Sequence, residues 1–161
     1  MKSQKTLITS IVVVVIVAVA VIIAVLVANH NNSNNTNTNS AKLTNYKQAI
    51  ESNWKTFFAY NTPMSQRVKL LQNGSNFASA LQMEFAGIGS QHPTATVNSV
   101  KLNNNNTQAD VNYVVNLGGH PVLTNQQGTA VLVGKNWQVS DSTLCGLLKM
   151  AGQTPAVCQK L

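Results

Sequence analysis

The stretch Gln108-Ala-Asp-Val-Asn-Tyr-Val-Val-Asn-Leu117 decides how the globular part of this chain folds. Ala109, Val111, Tyr113, Val115 and Leu117 recur at every second position, with Asp110, Asn112 and Asn116 mostly on the other face. Successive side chains of a strand point to opposite faces, so this period of two predicts a half-buried strand with one apolar side. Such a strand needs neighbours. Upstream, Thr94 to Leu102 is rich in Thr and Val, and the Asn103-Asn-Asn-Asn106 tract predicts the turn of an antiparallel pair. Downstream, Gly118-Gly119-His120-Pro121 predicts the opening of a longer loop. Gly128 to Val133 and Trp137 to Val139 then predict a hairpin across Gly134-Lys135-Asn136, with Val131, Val133, Trp137 and Val139 able to share a face.

Before the strands the period changes to steps of three and four. Leu43, Tyr46, Ile50, Trp54, Phe57 and Phe58 form the stripe of a first globular helix, which Asn61-Thr62-Pro63 ends. Pro63 suits the first turn of a short second helix carrying Val68, Leu70 and Leu71, stopped by Asn73-Gly74. Ser75 is placed to cap a third helix, in which Phe77, Leu81 and Phe85 recur until Gly87 and Gly89 break it. After the strands, Ser140-Asp141-Ser142 caps a short last helix with Leu144, Leu147 and Leu148, and Gly152 lies beyond its end. Three helices, about four antiparallel strands and a helix, segregated rather than alternating, make an α+β domain.

Ahead of this domain, residues 7–28 run without a charge, Gly or Pro. About 22 residues in a helix reach roughly 33 Å, enough for a hydrocarbon core of about 30 Å. Residues 1–6 carry Lys2 and Lys5, whereas Asn29-His30-Asn31-Asn32-Ser33 carries no fixed charge. The positive-inside bias therefore predicts a cell-membrane protein with a single-pass signal anchor from Leu7 to Ala28, its N-terminus cytoplasmic and its C-terminal part extracytoplasmic. A cleaved signal peptide is the alternative, but its apolar region is normally about 7 to 15 residues long, and Leu26 occupies the third position before Asn29, where a small residue is wanted. Residues 29–41, Asn-rich and uncharged, have nothing to bury and predict a disordered spacer. Residues 42–161 remain for one extracytoplasmic domain.

Composition narrows the function classes. The chain of 161 residues has a formal charge of +7, and from Lys42 onward nine bases against four carboxylates leave an excess of about +5. These bases stand singly, Arg67 is the one arginine, and aromatics do not interleave with them, so no nucleic-acid partner is expected. His30, His92 and His120 are isolated, without a metal-binding or nucleophile motif around them. No metal, no cofactor and no catalysis are expected. Asp110 is read as an outward position of its strand, although burial would raise its pKa and suit it to act as a base. Cys145 and Cys158, an even pair in an extracytoplasmic segment, predict a disulfide closing a loop of about 14 residues and worth roughly 3 kcal/mol on the loop-entropy scale.

Trp54-Lys-Thr-Phe-Phe58, Thr62-Pro63, Lys69-Leu-Leu-Gln-Asn-Gly74, Gly118-Gly119, Asn125-Gln-Gln-Gly-Thr-Ala-Val131, Trp137-Gln-Val139 and Leu144-Cys-Gly-Leu-Leu148 together resemble the C-terminal domain of the low-molecular-weight antigen Mtb12-like proteins of actinobacteria, over about Lys42 to Leu161. That resemblance implies a secreted or surface-held protein and a cone in which helices pack on a curved sheet, similar to nuclear transport factor 2 or cystatin. It supplies no catalytic motif, and the long N-terminal apolar segment departs from an ordinary secretory signal. The function expected is a membrane-anchored binding domain for an envelope component or protein. An enzyme or small-ligand carrier built on the cone's cavity is the alternative, with Trp54, Phe58, Asp110, Tyr113 and Trp137 as the residues that would line it. Trp54 and Phe58 are read first as core. Two or more ionisable groups converging in a deep pocket would favour the alternative; an apolar or filled cone would favour the binding domain.

Overall fold

The computed structural model describes residues 38–160. The proposed span Leu7–Ala28 and most of the Asn-rich spacer lie outside them. Among the described residues no helix is long and apolar enough to cross a membrane. The chain divides between Thr44 and Asn45 into two units, and the second holds the whole sheet and core.

Helix α1 is described over 38–58, so it already includes 38–41, which the sequence assigns to the spacer. Thr44 Oγ1 donates to Ser40 O at 2.9 Å in this first part. From Tyr46 on, the stripe of three- and four-residue steps faces the core, with Ile50, Trp54, Phe57 and Phe58 buried. Helix α2 (Met64–Lys69) forms where the sequence places it, but Pro63 holds its cap position rather than its first turn and it carries Val68 alone of the expected three, Leu70 capping its end and Leu71 lying beyond. Asn73 adopts a left-handed conformation, φ 51°, and starts a 3-10 turn, Gly74–Phe77, ahead of α3 (Ala78–Ile88). Ser75 therefore sits inside that turn and caps nothing; Phe77 holds the cap position of α3 without a side-chain bond. Gly87 does not break α3 either. It is exposed, and the helix gives way at Gly89 to a second 3-10 turn, Gly89–Gln91.

Four antiparallel strands form one sheet in sequence order: β1 (Thr94–Leu102), β2 (Gln108–Leu117), β3 (His120–Val133) and β4 (Asn136–Val139). β2 alternates as its sequence requires, with Ala109, Val111, Tyr113 and Val115 buried and Asp110 exposed between them. The expected long loop after β2 is instead a two-residue turn. Gly118 and Gly119 both have positive φ, 56° and 83°, the twist that lets the next strand start at once, and β3 runs from His120. Its first half is irregular: Tyr113 pairs with Gln126, Val115 with Leu123 and Asn116 with Pro121, so β3 twice carries an extra residue, with Asn125 at φ 55°. Each such bulge bends the strand. β4 pairs with 130–133 only, and Pro121 sits where β3 lacks that second neighbour.

Beyond β4, Leu71 bridges Val139 in parallel, Gln72 N donating to Val139 O at 2.8 Å and Val139 N to Leu70 O at 2.9 Å, so the segment after α2 covers that edge. Asn53 Nδ2 donates to Trp137 O at 2.7 Å and fastens α1 to the same strand. Helix α4 (Asp141–Met150) is capped as its sequence predicts, Ser140 Oγ accepting from Thr143 N at 3.1 Å. Gly152, φ 77°, follows α4, and a 3-10 turn, Ala156–Lys160, carries Cys158 back to Cys145. The two cysteines stand at disulfide distance, with Cα atoms 5.5 Å apart. The molecule is an α+β domain with helices on a four-stranded open antiparallel sheet.

Candidate functional site

Trp54 and Tyr113 meet at the centre of the domain, ring centroids 5.3 Å apart and nearly edge to face, with Phe58 5.5 Å from Tyr113 and 6.4 Å from Trp54. The sheet makes room for the indole by having no side chain at Gly128: a Cβ built there would stand 2.8 Å from Trp54 Cζ2 and 2.8 Å from Thr143 Cγ2. Trp54 and Tyr113 are each 1% exposed, and burial pushes the Tyr113 phenol well above its usual range. Trp137 is buried apart from this cluster, against Tyr46 at 5.6 Å. Of the five residues named as cavity lining, three thus form one aromatic cluster. Trp137 packs with Tyr46, and Asp110 is exposed beside Gln127, Thr129, Ser142 and Thr143 in a shallow polar depression.

The open space lies elsewhere on the same sheet. An apolar cleft of about 240 Å³ is enclosed by Phe57 and Phe58 of α1, Phe85 and Ile88 of α3, Val115, Leu117, Val122 and Leu123 of β2 and β3, and Leu144, Leu147, Leu148 and Met150 of α4. Phe58 alone of the five lines it. Val122 and Met150 are both lining and exposed, at 49% and 56%, so the cleft reaches the surface beside them. Glu84 is the one ionisable residue among its walls. Its Oε2 accepts from Gln153 Nε2 at 2.7 Å, joining α3 to the segment after α4, where Gln153 N donates to Leu148 O at 2.8 Å. Leu147, Leu148, Met150 and Gln153 lie between Cys145 and Cys158, with Leu144 just ahead of the first cysteine, so the cysteine pair closes most of the segment that forms this side of the cleft.

Arg67 supports the opposite wall. It is 1% exposed, and its guanidinium donates to the carbonyls of Phe57, Ala59 at 2.9 Å and Thr62 at 3.2 Å while lying 3.4 Å over the Phe85 ring. Burial alone lowers its pKa to about 10, and among the described residues no carboxylate offsets it. The cation thus binds the C-terminal end of α1 and the segment after it and fixes Phe85 from behind. Its place in α2 had no sequence signal beyond its being the one arginine. Glu84 did have one: Leu81, Glu84, Phe85 and Ile88 share a helix face, which sets a carboxylate on the buried side. Among the described residues no three of His, Cys, Asp or Glu gather into a metal-binding group.

The family model of the low molecular weight antigen MTB12, C-terminal domain, matches residues 43–155. The chain belongs to this family. Its matched segment takes in α1 from Leu43, the whole sheet, α4 and both walls of the cleft, so the cleft of this chain lies within the matched domain. Comparison with curated proteins and with solved structures gives no match.

Proposed function

We propose that this Mtb12-family protein is a non-catalytic, extracytoplasmic binding module, held at the membrane by Leu7–Ala28 and spaced from it by the Asn-rich stretch, which takes an apolar envelope molecule into the cleft between α3, α4 and the sheet. The reading rests on one observation: the cleft is walled by aliphatic and aromatic side chains and offers one carboxylate, Glu84. General acid–base chemistry on a substrate ordinarily needs a second group placed to return or accept the proton. Burial of apolar surface, by contrast, needs only shape and dryness, and contributes about 0.8 kcal/mol for each methylene removed from water. The bulged first half of β3 supports a cone-like curvature of the sheet around this space.

Photolabelling tests the reading. The full chain, reconstituted in phosphatidylcholine nanodiscs, is irradiated with alkyl probes of eight to ten carbons carrying a diazirine, and the adducts are mapped by mass spectrometry. Adducts on residues 84–88 and 144–151 are expected, and Leu147→Trp, which projects bulk into the cleft, removes them. Labelling confined to 1–44, or unaffected by Leu147→Trp, overturns the proposal. Anchoring is checked separately: the chain stays in the membrane fraction after carbonate washing, and recovery of a soluble form beginning near Asn29 overturns that part.

A further inference from the structure

The cleft has a polar corner whose chemistry restricts what it holds. This step rests on the binding-module reading and concerns the ligand's head group. Glu84 Oε1 accepts nothing from the described residues, while Oε2 is engaged by Gln153 Nε2. Gln153 thereby spends an N–H on Glu84 and leaves its own Oε1 as a further acceptor. Of this pair Glu84 is the one that lines the cleft, so the corner presents a carboxylate acceptor and its negative charge against walls whose side chains are otherwise hydrocarbon. Arg67 is no counterweight within reach, since its guanidinium is committed to three carbonyls and lies behind the Phe85 ring.

We infer that the cleft selects a single alkyl chain whose head group donates hydrogen bonds and carries no negative charge, a neutral glycosyl or hydroxyl head rather than the carboxylate of a free fatty acid. The volume of about 240 Å³ fits the chain. At about 30 Å³ for a unit the size of a water molecule, it holds on the order of eight carbons, leaving the head at the polar corner or at the mouth. A head with a hydroxyl satisfies Glu84 Oε1. A carboxylate head sets two like charges side by side where hydrocarbon walls exclude much of the screening water, and that repulsion is far larger than in bulk water.

Two diazirine probes with the same chain, one ending in glucose and one in a carboxylate, distinguish these cases at pH 7.5 in the nanodisc-held full chain, with adducts normalised to those on the lipid. Cleft adducts of the glucoside are expected to exceed those of the carboxylate by at least about tenfold. Glu84→Gln, which keeps an acceptor and removes the charge, should bring the carboxylate probe to within about threefold of the glucoside. Equal labelling of the native chain overturns this inference and leaves the binding-module reading standing, whereas no cleft labelling by either probe overturns that reading too. A preference that survives Glu84→Gln overturns the assignment to Glu84. A preference for the carboxylate overturns the inference outright.

Discussion

Two ends of one sheet face carry similar side chains and end in opposite states. At the α1 end, Trp54 packs with Tyr113 and Phe58 and lies against Gly128, large against small, with Ala109 and Ala130 buried in the same core. At the α3 and α4 end, Phe57, Phe58 and Phe85 stand on one side and Val115, Leu123, Leu144 and Leu148 on the others, and a cleft of about 240 Å³ remains among them. Hydrophobicity therefore does not decide where a pocket lies. Complementarity of size does, because a core reaches native density only when each large side chain has a small one opposite it. The bulges of β3 lie at the open end, where they turn the strand and shift which residues face inward.

The sharpest way to break this comparison is to empty the filled end. Trp54→Ala removes the largest fully buried side chain and is expected to cost about 3 to 5 kcal/mol, much of the roughly 5 to 15 kcal/mol that holds a small domain folded. Urea unfolding of the two proteins measures it. A normal midpoint together with lost cleft labelling would instead place Trp54 in the binding site. Next in size is the cysteine pair, whose members are 13 positions apart. Replacing both Cys145 and Cys158 by Ala should lower stability by about 3 kcal/mol on the loop-entropy scale, and should weaken cleft labelling as the α4 wall loosens. Unchanged thermal stability on reduction would show that the wall stands without the bond.

Adding bulk separates the two ends more finely. Gly128→Ala places a methyl group at 2.8 Å from Trp54 and from Thr143, where neither can withdraw through packed neighbours, and about 1 to 3 kcal/mol of overpacking cost is expected. Leu147→Trp adds more atoms at the open end and should cost less than Gly128→Ala, since Leu147 lines free space. Thermal unfolding of both variants ranks them. The reverse order would mean that the cleft closes in solution and that the two ends do not differ.

The elements on either side of this contrast are legible in the sequence, whereas the contrast itself is not, and the difference has physical causes. Local periodicity carried β2, α1 and the cap of α4, because their burial patterns repeat within a few residues. The first half of β3 carries no strand signal in the sequence, since Pro121, Asn125, Gln126 and Gln127 lack an apolar alternation. Its pairing comes from β2 and from the Gly118-Gly119 turn rather than from its own pattern. The family match over residues 43–155 agrees with the resemblance drawn from the scattered Trp, Gly and Leu motifs. The cleft was the least legible feature. It is a vacancy between α3, α4 and the sheet, and no spacing within one element records how closely three elements approach. Naming Trp54, Tyr113 and Trp137 as cavity lining followed the largest aromatics, and these are the side chains that fill space.

The smallest expected effect concerns Asp110. It stands on β2 between buried Ala109 and Val111, but on the opposite face, exposed and paired in register with Thr129. The depression it borders also includes Ser142 and Thr143 of the first turn of α4, where a negative charge is mildly favourable to the helix. Water and salt screen that attraction at an exposed site. Asp110→Asn is therefore expected to change stability by no more than about 0.5 kcal/mol and to leave cleft labelling as it was. Equilibrium unfolding and the diazirine assay, run on the same preparation, measure both quantities. A loss of labelling with stability intact would tie the polar face of the sheet to the cleft beneath it, and the independence of the two regions would have to be given up. An unchanged pattern fixes binding on the buried side of the sheet, where the one carboxylate within reach of a ligand is Glu84.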